Sequence, residues 1–163
     1  MAGRSRRSSA VTQLAYNAQE NVTSSTDPLG RQTTYSYAAN GLDLLEARQA
    51  VSGGTDLLSS LSGYTARHLP TTVTGGAGQD TNLTYNSLGQ PLTVTNARNE
   101  TTTFTYDTVT QHLLTVTGPV TGSTATFTYD GYGRVDSVEG VDGYLVEFSY
   151  DALAVLTRPR GSL

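Results

Sequence analysis

Phe127-Thr128-Tyr129-Asp130-Gly131-Tyr132-Gly133-Arg134-Val135 holds the end of a strand, a turn and the start of another strand. Phe127 and Tyr129 alternate with a small hydroxyl residue, and side chains alternate faces along a strand. The two aromatic rings therefore share one face, and Thr128 takes the other. Asp130 can bond forward to the backbone, and Gly133 accepts positive φ without steric cost, so the chain is predicted to reverse here. Val135-Asp136-Ser137-Val138 then reads as the returning strand.

The same pattern recurs on both sides of this stretch. Tyr35-Ser36-Tyr37, Leu83-Thr84-Tyr85, Phe104-Thr105-Tyr106 and Phe148-Ser149-Tyr150 all read bulky residue, hydroxyl residue, tyrosine. The marks Tyr16, Tyr37, Tyr64, Tyr85, Tyr106, Tyr129 and Tyr150 are separated by 21, 27, 21, 21, 23 and 21 residues. A fixed period of this size is the signature of a repeat array. Asn86, Asp107, Asp130 and Asp151 follow their tyrosines directly, and Gly41, Gly89 and Gly133 stand four residues after theirs. Second strands are expected at 69–74, 92–95, 113–117 and 135–138, with breaks at 26–30, 75–78, 118–122 and 140–143. One unit is thus strand, turn, strand, turn, and the whole chain should hold on the order of a dozen strands. The second unit departs from the pattern: the run Gly41 to Ala47 is compatible with a turn of helix, and a longer hairpin with an irregular tip is the expectation there.

Composition agrees with an all-β, antiparallel hairpin array with little helix. Threonine is the commonest residue, there are 17 glycines and 10 tyrosines, and lysine is absent. The tyrosine face is expected to be core material, with each hydroxyl seeking a partner or water, and the threonine face to meet solvent. Five of the ten basic residues, all arginines, lie in the end segments. The interior therefore sets five arginines against 14 acids, a balance of about −9 that repels phosphate and disfavours nucleic acid or an anionic membrane as partner. Arg4, Arg6 and Arg7 read as part of a disordered basic tail. With no cysteine there is no disulfide, thiolate metal site or cysteine nucleophile. No signal-peptide core or membrane-spanning stretch is evident.

No catalytic, cofactor-binding or metal-binding residue is predicted. His68 and His112 fall in slots where other copies carry glycine, glutamine or arginine, and they read as solvent-facing turn positions. Asp107, Asp130 and Asp151 share one repeat position. Folding demands equivalent residues in every unit, whereas an active site is normally singular, so these carboxylates read as turn caps. Gly75-Gly76-Ala77-Gly78 lacks the lysine of a phosphate loop, and no Gly-x-Ser-x-Gly elbow occurs. Tyrosines on a strand face can also stack sugar rings, which keeps an extracellular adhesion or carbohydrate-binding module as the alternative function.

With the repeat laid out, the chain resembles the YD repeats of the Rhs family. The resemblance rests on Tyr129-Asp130-Gly131-Tyr132-Gly133-Arg134-Val135, Tyr106-Asp107, Tyr85-Asn86-Ser87-Leu88-Gly89-Gln90 and Thr26-Asp27-Pro28-Leu29-Gly30-Arg31. It implies a long antiparallel sheet that spirals into a hollow shell, enclosing a C-terminal toxin in bacterial members or serving adhesion in animal relatives. Members of the family are usually exported or held at the cell surface. The family's shell-closing region and a toxin-like tail are not found, which gives the sequence the look of a cut piece. The expected organisation is a disordered basic tail over 1–15, the repeat array over 16–151 and a C-terminal tail over 152–163. The expected partners are the remaining repeats and the toxin of a longer parent, with self-association through open sheet edges.

Overall fold

A computed structural model describes residues 12–151 and 160–162; Arg4, Arg6 and Arg7 lie outside the described residues. Every regular element among the described residues is a β-strand, and each strand pairs antiparallel with its sequence neighbours inside its unit. The all-β reading therefore holds, and the helical turn entertained near residue 41 does not form.

The chain divides into two compact units, 1–81 and 82–163. In the first, β1 (Gln13–Tyr16), β2 (Val22–Thr26), β3 (Gln32–Tyr37), β4 (Leu44–Val51), β5 (Gly54–Ser62) and β6 (Thr72–Gly75) follow one another as a meander. In the second, the meander runs through β7 (Asp80–Tyr85), β8 (Pro91–Thr95), β9 (Thr101–Tyr106), β10 (Leu113–Thr117), β11 (Thr124–Tyr129), β12 (Val135–Glu139), β13 (Leu145–Glu147) and β14 (Arg160–Ser162). Two boundaries differ from the sequence expectation. β1 begins at Gln13, inside the segment expected to be a tail, and β14 places three residues of the expected C-terminal tail in a strand.

Period-two alternation is visible in the burial of the first strand of each unit. Exposed and half-buried residues alternate along β3 and β7 and through the last four residues of β9 and β11, with the tyrosine always on the half-buried side. On the other face of the second unit, hydroxyls pair across strands: Thr84 with Thr93 at 2.6 Å, Thr105 with Thr115 at 2.6 Å, Thr117 with Thr124 at 3.0 Å and Thr128 with Ser137 at 2.7 Å. Such pairs stabilise a sheet by roughly 0.2–1 kcal/mol each.

The expectation of a tyrosine core needs correcting. Ala47, at 7% exposure, is the one buried apolar residue among those described, and the mark tyrosines are half-buried except Tyr16, which is 56% exposed. The reason is the single layer: strands cover one another in the plane of a sheet, and its faces need a second layer to be buried.

The longer hairpin is β4–β5, but its irregularity is not at the tip. Val51 pairs with Gly54 around a tight turn in which Gly53 has φ 89°. The register instead shifts between Ala47 and Arg48, where Ala47 faces Ser59 and Arg48 faces Leu57. An extra residue in one strand, here Leu58, is a β-bulge. A related shift recurs one step before the tyrosine in β1, β3, β7 and β11, and opposite Tyr106 in β9.

Candidate functional site: the tyrosine clasp

Each mark tyrosine ends a strand and leads into a turn whose first residue accepts backbone N–H groups on its side chain. Asp130 Oδ1 accepts from Tyr132 at 2.9 Å and Arg134 at 3.0 Å; Asn86 Oδ1 accepts from Leu88 at 2.9 Å and Gln90 at 3.0 Å. Asp107 Oδ1 accepts from Val109 at 2.9 Å and Thr110 at 2.6 Å. Asp151 stands at the same position after Tyr150, and the turn it opens runs beyond the described residues.

The penultimate slot of these turns requires a left-handed backbone. Gly41, Gly89 and Gly133 supply it at φ 71°, 87° and 76°, while Glu20, His68 and Gln111 are held there at φ 62°, 60° and 63°. A residue with a Cβ is strained in this region by about 1 kcal/mol or more, so the recurrence of the conformation without glycine shows how firmly the turn is set by its other bonds. At Gly41 a side chain would also collide with the amide of Gln19, which belongs to the preceding turn.

The phenols do something that composition and spacing did not reveal. Each donates to a backbone carbonyl at the start of the preceding returning strand: Tyr37 to Val22 at 2.8 Å, Tyr106 to Pro91 at 3.0 Å, Tyr129 to Leu113 at 2.8 Å and Tyr150 to Val135 at 2.8 Å. Tyr64 bonds Leu44 in the same way. Burial pushes the Tyr64 and Tyr106 hydroxyls above their ordinary pKa, which keeps them protonated and able to donate. A bond of this kind contributes about 1 kcal/mol net.

A second contact accompanies the first. The residue that closes each turn reaches over to the next mark tyrosine or its turn. Asn21 Nδ2 donates to Gly41 O at 3.0 Å, Asp43 Oδ1 lies 2.8 Å from His68 Nδ1, and Gln90 Nε2 donates to Gln111 O at 2.9 Å. The His112 ring lies on Tyr129 with centroids 4.4 Å apart, and the Arg134 guanidinium lies 4.2 Å from the centre of the Tyr150 ring. The two histidines are therefore members of the clasp series, one in the left-handed slot and one in the closing slot.

Electrostatics reinforce these turns. The Arg134 side chain, bonded to Asp130 Oδ2 from Nε at 2.7 Å, holds the Asp130 carboxyl below its usual pKa, with the backbone N–H groups of Arg134 and Tyr132 acting in the same direction. The Thr110 and Val109 N–H groups lower Asp107. All these carboxylates are occupied as caps. Beside them an open groove of about 480 Å³ is lined by Asp107, His112, Leu114, Phe127, Tyr129 and Asp130. Among the described residues, no cluster of three histidine or carboxylate groups is placed to hold a metal ion. What the arrangement does is mechanical: it ties each hairpin to the next.

The fold and the clasp define a class, an antiparallel array of tyrosine-marked β-hairpins. Residues 16–55 match the family model described as RHS Repeat, and the chain is an Rhs-type YD-repeat protein. Three solved structures illustrate the fold. The crystal structure of TcdB2-TccC3-Cdc42 superposes with a TM-score of 0.75 at 16% identity, covering 93% of this chain and 9% of that one. TcdB2-TccC3 gives 0.75 at 17%, again over 93% and 9%. The Tc holotoxin pore of Photorhabdus luminescens gives 0.74 at 16%, with the same coverage. This chain therefore spans about a tenth of the length of the solved chains that it matches. No curated protein sequence matches it.

Proposed function

We propose that this chain is a wall segment of a YD-repeat shell that encloses or displays a C-terminal toxin in a longer parent protein, and that it does no chemistry of its own. Its partners on this reading are the neighbouring repeats and the enclosed segment. The observation that carries the proposal is the uniformity of the clasp. Every polar group that sequence alone offers to chemistry, from Asp107 and Asp130 to the mark phenols, is engaged in a contact repeated along the array. The fold match to strips within toxin complexes supports the same reading.

Carbohydrate binding by the tyrosine rows is less well supported, because the phenols donate to backbone and two rings are covered by His112 and Arg134. The test is limited proteolysis of the longer reading frame that carries these repeats together with the sequence that follows them. The following segment is expected to survive protease concentrations that digest it when it is expressed alone. Equal cleavage in both settings would overturn the proposal.

A further inference from the structure

Tyr16 lacks what five other mark tyrosines have. Tyr37, Tyr64, Tyr106, Tyr129 and Tyr150 each donate to a carbonyl of an adjacent antiparallel strand. The Tyr16 hydroxyl meets no partner among the described residues, and its ring is 56% exposed. All four residues of β1 are exposed, whereas in β3 and β7 alternate residues are half-buried. β1 is hydrogen-bonded to β2 on one side and to no other strand. Its sequence, Gln13-Leu14-Ala15-Tyr16, has no charge and no proline, the devices by which natural edge strands discourage pairing.

The five internal cases specify the occupant of this edge. It must be an antiparallel strand that presents a carbonyl to the phenol and a side chain beside the ring. β1 itself meets both requirements when turned through a two-fold axis. With Ala15 opposite Ala15 of the second copy, Leu14 of each chain falls opposite Tyr16 of the other. The two exposed apolar side chains, Leu14 at 48% and Tyr16, then share one face, and the small alanines sit on the axis.

We propose that β1 is a homodimerisation edge, pairing antiparallel with β1 of a second copy in the register centred on Ala15. A pair of four-residue strands buries well below the roughly 1,200 Å² of a stable interface, so the dimer is weak and reversible. This goes beyond the shell reading and is independent of any cargo.

The register makes the proposal testable through charge. In the full 163-residue chain, Ala15→Lys places two like charges opposite each other on the axis, and Ala15→Glu does the same with the opposite sign. Sedimentation velocity over roughly 1 to 200 µM should show concentration-dependent dimer for the unmodified chain and monomer for each variant alone. An equimolar mixture of the two variants should recover dimer. Tyr16→Phe should weaken association about fivefold through the lost phenol bond. Monomer throughout for the unmodified chain, undiminished dimer in Ala15→Lys, or failure of the mixture to associate would each overturn the proposal. Recovery in the mixture also shows that the variants remain folded at β1.

Discussion

Asp27-Pro28-Leu29-Gly30-Arg31 and Asp130-Gly131-Tyr132-Gly133-Arg134 are the same turn in different places. In both, the aspartate accepts two backbone N–H groups, at 2.9 and 2.9 Å in the first and at 2.9 and 3.0 Å in the second. In both, arginine Nε reaches the second carboxylate oxygen, at 2.6 and 2.7 Å, and the glycine has φ 80° or 76°. The difference lies in what surrounds the arginine. Arg31, in a turn that precedes a marked strand, keeps 64% of its side chain in water. Arg134, in a turn that follows a mark tyrosine, is 28% exposed and lies between the rings of Tyr132 and Tyr150. The local turn code is thus independent of context, whereas coupling between hairpins depends on which side of the sheet the turn occupies. Among the described residues, the side-chain hydrogen bonds of the turns at 27–31, 96–100 and 118–123 stay within their own turns. A repeat array gains its stability from such neighbour terms, and here they are concentrated on the tyrosine side.

The sharpest way to break this comparison is to remove a whole clasp. Tyr129→Ala deletes a half-buried ring, the bond to Leu113 and the His112 stack, and should cost roughly 2–3 kcal/mol in urea unfolding. Asn96→Ala, which removes only a cap on the opposite side, should cost about 1 kcal/mol or less. Equal losses would erase the distinction between the two sides.

The paired arginines come next in size. Arg134→Ala should destabilise by about 1 kcal/mol or more, through the lost stacking and the lost packing of its stem. Arg31→Ala, an exposed ion pair, should stay within about 0.5 kcal/mol of the unmodified chain.

A smaller effect probes the left-handed slot. Asn99 carries φ 62° in the turn opened by Asn96, so Asn99→Gly should raise stability by about 0.5–1 kcal/mol in the same assay. No gain would mean that the asparagine side chain offsets the strain by a bond of its own.

The smallest effect is on pH dependence. Asp130 and Asp27 have folded pKa values lowered from 3.8, the former chiefly by the Arg134 side chain and the latter chiefly by the Arg31 N–H. A carboxyl whose pKa is depressed by folding contributes stability above its unfolded pKa, and that contribution is lost as pH falls through the folded value. Unfolding midpoints should therefore be flat from neutrality to about pH 4.5 and decline below it. Asp130→Asn should make the decline shallower.

Much of this was legible in the residues. Even tyrosine spacing, the hydroxyl alternation and the Asx and glycine positions led to antiparallel hairpins and to the places of most turns. Three things were not. The phenol bonds join residues 15 to 20 apart and depend on register, which the repeat spacing leaves open. The closing slot held a signal, since Asn21, Asp43, Gln90, His112 and Arg134 all carry groups able to bond or stack, but Leu69 interrupts the series. The tight turn of the long hairpin was marked by Ser52-Gly53-Gly54, yet the bulge at Leu58 had no sequence mark, because nothing local distinguishes an unpaired residue from a paired one. The half-exposed state of the tyrosines follows from the absence of a covering layer, a tertiary fact that residue type does not encode.

The claim that hairpins are tied together by phenol-to-carbonyl bonds can be tested by removing the oxygen alone. Urea unfolding of Tyr106→Phe, Tyr129→Phe and Tyr150→Phe, each beside Tyr132→Phe as the 87% exposed reference, isolates that bond. The three clasp variants should each lose about 1 kcal/mol while the reference is unchanged. Four indistinguishable midpoints would show that the phenols hold nothing together.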